Sequence, residues 1–143
     1  MSSENIGIDI NRYKITNKIG EGGFSKVYRV KDLKTKKYYA AKISNIMIDE
    51  DTKNSQEALH LFREINLMSL FNHPSILKFI GYYPNDFEND PLPTIITELS
   101  NNGSLRDIIE MEISGLSPED WDDTKRLINI YGIACGMSYL HAH

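Results

Sequence analysis

A glycine-rich octapeptide, Gly20-Glu21-Gly22-Gly23-Phe24-Ser25-Lys26-Val27, joins two short segments that both read as β-strands. Backbone amides approach the oxygens of an anion only where side chains are absent, so such a stretch suits a phosphate chain. Its surroundings restrict the fold further. A dinucleotide-binding turn must leave a strand and enter a helix. Here Lys26–Asp32 is a strand candidate that leads through the polar connection Asp32-Leu33-Lys34-Thr35-Lys36-Lys37 into a third, Tyr38–Ile43. A Walker-type loop needs Gly-Lys followed by Ser or Thr, and none occurs. A glycine hairpin between antiparallel strands remains, which by itself reads equally well as a plain tight turn.

The rest of the pattern extends this meander. Residues 1–12 are a polar lead-in, and Tyr13–Lys18 begins the first strand. Ser55 is a candidate N-cap for a helix reaching Leu70, with Leu61, Ile65 and Met68 recurring at helical spacing. Asn72-His73-Pro74 ends it, because proline disfavours helical backbone in the residue before it. Ile76–Tyr83 and Thr94–Glu98 read as two more strands around an acidic, proline-containing loop. Ser104-Leu105-Arg106-Asp107 resembles a capping box and opens a short helix to about Glu112. Ser117-Pro118-Glu119-Asp120 signals a second start, for a helix to about His141 with Leu127, Tyr131, Ala134, Met137 and Leu140 near one face. The expected class is α+β: a five-stranded antiparallel sheet with one inserted helix, then two helices.

Composition narrows the function. Hydrophobic residues make up 41% and charged residues 25% of 143, which places the chain among globular domains. A net charge of −4 argues against nucleic acid or an anionic membrane as the main partner. One cysteine, Cys135, excludes an internal disulfide and fits a reducing compartment. No secretory signal pattern opens the chain, and no run approaches the roughly 20 apolar residues of a membrane span. Cytoplasm, or the nucleus, is the expected location. His141 and His143 do not have a helical metal-ligand spacing, and no metal site is read there.

Two charged residues stand in register with the glycine segment. Lys42 ends Tyr39-Ala40-Ala41-Lys42, and Glu64 follows on the inserted helix. Singly, each has a bland reading: a lysine extending from a strand edge to solvent, and an ordinary exposed helix acid. Their joint order after the glycine segment is the informative observation.

These residues together resemble the eukaryotic protein kinase family, over roughly Tyr13 to His143. The resemblance implies an ATP site and assigns roles to particular positions. Gly20, Gly22, Gly23 and Ser25 would cover the phosphates, with Phe24 at the tip, and Val27 and Ala40 would sandwich the adenine. Lys42 would hold the α- and β-phosphates, paired to Glu64. His73-Pro74-Ser75-Ile76-Leu77 and Ile95-Ile96-Thr97-Glu98-Leu99 look like the family's entries to its fourth strand and its hinge. Thr97 would be the gatekeeper, the Glu98 carbonyl and Ser100 amide would meet the adenine edge, and Leu105 would lie beneath it. The implied organisation is an N-terminal lobe at 13–98, a hinge at 98–103 and helices of a truncated C-lobe at 104–143.

Two positions depart from the family pattern. Ser25 stands for the third glycine, a substitution similar to that of tyrosine-kinase-like serine/threonine kinases. Ser138-Tyr139-Leu140-His141 looks like the end of the long C-lobe helix, just before the His-Arg-Asp loop. The family's catalytic Asp, metal-binding Asn and Asp-Phe-Gly segment do not occur here. The resemblance therefore implies a partial domain that binds Mg-ATP with its metal ligands missing, and from which phosphotransfer is not expected. Another expectation is a non-catalytic module that docks a protein partner through exposed C-terminal helices, since about 1.5–3 kcal/mol attaches to each large apolar side chain left uncovered. A third is the front half of a complete kinase whose gene model is incomplete.

Overall fold

The computed structural model describes residues 6–142. After a 3-10 turn at Ile10–Arg12 come β1 (Tyr13–Glu21), β2 (Ser25–Asp32), β3 (Tyr38–Ser44), α1 (Gln56–Leu70), β4 (Phe79–Tyr83) and β5 (Thr94–Glu98). Two helices follow, α2 (Leu105–Ile113) and α3 (Asp123–Ala142). The strands form one antiparallel sheet in the order β1-β2-β3-β5-β4, as the α+β reading requires. Described residues up to Asn72 together with Leu77–Leu99 make one compact unit, and His73–Ile76 with the described residues from Ser100 onward make another.

Strand alternation divides the sheet into two faces. One buries Tyr13, Val30, Ala41 and Ile96, with Ile8, Ile15, Tyr28, Tyr39, Ile80 and Phe87 packed against them. Lys42 and Ile95, one position along from Ala41 and Ile96, take the other face. Ser55 caps α1 as the sequence implies, its hydroxyl accepting from the Ala58 amide at 3.1 Å. Ala58 and Ile65 are the buried residues of that helix.

Two elements start three or more residues later than the sequence reading places them. β4 begins at Phe79 rather than Ile76, because the Ile76 amide donates to the His73 carbonyl at 3.0 Å and the Ser75 amide to His73 Nδ1 at 3.1 Å. Amides spent in that turn cannot enter a ladder. Likewise α3 begins at Asp123, five residues beyond Pro118. Pro118 instead accepts from the Trp121 amide at 2.9 Å, and the Asp122 side chain caps the helix by accepting from the Lys125 amide at 2.8 Å.

In the helical unit, α2 carries the full Ser104–Asp107 capping box. The face α3 buries is not the apolar stripe from Leu127 to Leu140. Gly132 and Gly136 lie against Ser75, where an added Cβ would come within 3.7 and 3.3 Å, and the His73 ring stacks on Tyr139 at 5.0 Å. Leu127, Ile128, Ile130, Tyr131 and Ile133 are all more than half exposed. No helix among the described residues is long and apolar enough to cross a membrane.

The connection after β2, read from sequence as a simple polar turn, is organised by a buried carboxylate. Asp32 accepts from Arg12 Nε at 3.0 Å and Nη2 at 2.5 Å, from the Lys34 and Thr35 amides at 2.8 and 3.2 Å, and from the Thr35 hydroxyl at 2.7 Å. The Arg12 hydrogen bond, above all, holds the Asp32 carboxyl well below its ordinary value of 3.8, against the opposing effect of burial. A lowered folded-state value gives stability that is complete above 3.8 and is lost as pH falls toward the folded value. Asp32→Asn is expected to destabilise the protein at neutral pH. Its deficit against wild type in urea titrations should shrink as pH is lowered to about 3.

Candidate functional site

Directly opposed residues of antiparallel strands present side chains to the same face. Gly20 opposes Val27, Val27 opposes Lys42, and Lys42 opposes Ile95, so four strands contribute one row. A neighbouring row holds Arg29, Ala40 and Thr97. The register thus brings Gly20, Val27, Ala40, Lys42 and Thr97 to the face opposite the Val30–Ala41–Ile96 core.

The hairpin tip lies at one end of this face. Its turn closes through the Gly22 amide donating to the Ser25 carbonyl at 2.9 Å. Asn45 ties the tip down: its Nδ2 donates to the Gly22 and Gly23 carbonyls, each at 3.2 Å, and its amide donates to the Phe24 carbonyl at 2.9 Å. Sequence reasoning missed Asn45. Extending the Ser25–Ser44 register by one residue would have put it opposite Phe24. A Cβ on Gly22 or Gly23 would meet nothing within 4 Å, so protein packing does not demand glycine at either position. What glycine does provide is a peptide surface not covered by side chains. Phe24 is 81% exposed.

Lys42 Nζ donates to Glu64 Oε1 at 2.5 Å. Both side chains stay partly exposed, at 38% and 42%, so the pair faces open space. An ammonium has three donors, and one bond to Glu64 leaves capacity for an anion. The pair borders a cavity of about 520 Å³ between the sheet and the first turns of α1. Phe24, Ser25, Ser44, Ile46, Ile48, His60, Leu61 and Ile95 also line it. The hairpin tip, the lysine and its carboxylate therefore share one space.

The remaining predicted residues are placed as follows. Thr97 is buried and its hydroxyl donates to the Glu98 carbonyl at 3.1 Å. The Glu98 amide donates to the Lys78 carbonyl at 2.9 Å, and its carboxylate accepts from the Lys78 amide at 2.8 Å. Ser100 and Leu105 belong to the helical unit, where Ser100 is exposed and Leu105 opens α2 half-buried. Gly103, at φ 72°, makes the left-handed turn ahead of the Ser104 cap. A polyphosphate fits the donors of the sheet unit: a lysine with spare capacity and a glycine tip without side-chain cover. Among the described residues, no cluster of three or more His, Cys, Asp or Glu side chains is placed to hold a metal ion.

The family model for the protein kinase domain matches residues 13–143. This chain belongs to the protein kinase domain family. It is similar to "Probable serine/threonine-protein kinase kinY" of Dictyostelium discoideum, with 31% identity over 99% of the chain and 24% of the relative. "Dual specificity testis-specific protein kinase 2" of Mus musculus is 31% identical over 87% of the chain and 19% of the relative. For "Probable serine/threonine-protein kinase samkB" of Dictyostelium discoideum the figures are 29%, 94% and 21%. The chain spans about a fifth to a quarter of the length of these curated relatives.

Because Phe24 touches little and stands mostly in solvent, its removal should hardly affect folding. Phe24→Ala is expected to change unfolding free energy in urea by no more than about 0.5 kcal/mol.

Proposed function

We propose that this chain holds ATP through its phosphates, as the nucleotide-binding part of a serine/threonine protein kinase. The observation that carries the reading is the Lys42–Glu64 pair, which borders one cavity with the tip of the glycine hairpin. Glu64 fixes the ammonium, and charge-assisted bonds from the remaining donors to phosphate oxygens are the strong kind. Gly20, Gly22, Gly23 and Ser25 place backbone above the phosphates, and Phe24 closes over them. Val27 and Ala40 offer an apolar surface to the base, and Thr97 and Glu98 continue it along β5 of the same unit. The serine/threonine assignment rests on the printed names of relatives such as kinY and samkB, one other relative being named as dual specificity.

Phosphotransfer needs a group to orient the hydroxyl and ligands for the metal ions. These 143 residues contain neither a His-Arg-Asp nor an Asp-Phe-Gly segment. As a separate polypeptide they bind nucleotide without transferring phosphate. The broad apolar exposure on α3 favours a second role, docking a protein partner through that helix.

Thermal unfolding with and without Mg-ATP tests the first reading. At a ligand excess of a hundredfold over Kd, stabilisation of about 2.7 kcal/mol is expected, and Lys42→Ala should remove it. A Lys42-independent shift, or none at millimolar nucleotide, would reject the proposed site. Radiolabelled phosphate transfer by the purified chain should stay at background; Lys42-dependent transfer would overturn the non-catalytic assignment.

A further inference from the structure

β4 is an edge strand whose neighbour on one side is β5. Its other side is not bare. The Ile8 amide donates to the Tyr82 carbonyl at 3.0 Å, and the Tyr82 amide donates to the Ile6 carbonyl at 2.8 Å. Gly7 pairs with Tyr82 in a parallel bridge. The segment ahead of β1 is therefore part of the sheet, although its composition suggests only a lead-in. Gly81 makes room for it: a Cβ there would fall 2.1 Å from Ile8 Cγ2 and 3.2 Å from the Ile6 carbonyl oxygen. Ile8 packs on the Ala41–Ile96 face, and Ile10 behind it is only 5% exposed.

Tyr82, gripped through its backbone, reaches the helix with its side chain. Its ring meets Phe62 of α1 edge-on, with centroids 6.3 Å apart and planes at 77°. Among the strands, β4 is the one on which α1 chiefly packs. Phe62 lies two residues before Glu64, whose carboxylate holds Lys42. Contacts thus run from Ile6 and Ile8 through Tyr82 to Phe62 of α1, the helix that carries Glu64.

We infer that Ile6–Ile8 is a positioning strap: by fixing Tyr82 it sets the seat of α1 and thereby holds Glu64 against Lys42. Its consequence for nucleotide affinity rests on the proposed ATP site, whereas its effect on α1 does not.

The test uses the full chain. Gly81→Val evicts Ile8, Ile8→Ser weakens the same contact without a backbone clash should Gly81→Val fail to fold, and Ile8→Val preserves it. Hydrogen exchange of the α1 amides from Ala58 to Ile65 is expected to quicken about tenfold in Ile8→Ser. Exchange at Lys26 and Ile43, paired at the hairpin end of the sheet, should not change, and Ile8→Val should match wild type. Faster exchange confined to Tyr82, an equal rise throughout the sheet, or no change would each overturn the strap. Mg-ATP affinity should also fall about tenfold in Ile8→Ser, and this loss should disappear when Glu64→Gln is already present. An undiminished loss in the Glu64→Gln background would overturn the route through Glu64. Should wild type bind no nucleotide, the ATP reading fails, and the exchange rates of α1 alone decide the strap.

Discussion

The register of β3 governs most of this structure. A slip of one residue in a strand exchanges its two faces. Such a slip would put Lys42 into the apolar layer and Ala41 on the cavity side. Ala41 is fully buried opposite Tyr28 and Ile96, with Val30 in the same layer, and no charged lysine can take that place without a partner. The core on one face thereby fixes the chemistry on the other. Gly20, Val27, Lys42 and Ile95 form a row because Tyr28, Ala41 and Ile96 form theirs.

Helix α1 supplies the second half of the arrangement, and it is held by a different part of the sheet. Its hydroxyl cap at Ser55 sets where it begins, and buried Ala58 and Ile65 set which face turns inward. Glu64, next to Ile65, consequently lies at the border between packed and open surface. That placement suits a carboxylate which must meet a lysine and still leave it accessible. Full burial of the pair would cost more in desolvation than a single contact returns.

Much of this was legible in the sequence, and the residues show why. The glycine hairpin was visible as a local pattern, and the Lys42–Glu64 pairing was implied by their joint order after it rather than by either residue alone. The Ser55 and Ser104 caps were equally visible, since capping depends on residues within three positions. The Asp32 network and the Asn45 tie to the hairpin were not. Asp32 acts through Arg12, 20 residues earlier, and Asn45 through Gly22, 23 residues earlier, and neither spacing has a recurring signature. On α3 the exposed apolar side chains were foreseen, Leu127 and Tyr131 among them, but the contact the helix makes was not. The helix turns its small residues, Gly132 and Gly136, to the His73–Ile76 turn, and close approach rather than side-chain size decides that contact. Residues 6–12 read as a polar lead-in because three isoleucines spaced by Gly7 and Asp9 look unremarkable until Gly81 is seen to leave room for one of them.

The energetics separate the site from the scaffold. A half-exposed ion pair such as Lys42–Glu64 contributes about 0–1 kcal/mol to folding. By contrast, truncating a fully buried isoleucine such as Ile65 or Ile96 costs about 2–5 kcal/mol. The hairpin tip follows the same division, with Phe24 in solvent and space around Gly22 and Gly23 that packing leaves unused. Folding gains little from these residues, so substitutions there leave the sheet standing and the proposed site can be probed without losing the fold. Interior residues such as Ile65 behave oppositely, since their loss displaces the element they support. The side chains of the proposed site are inexpensive to lose for stability, yet they are placed by costly neighbours.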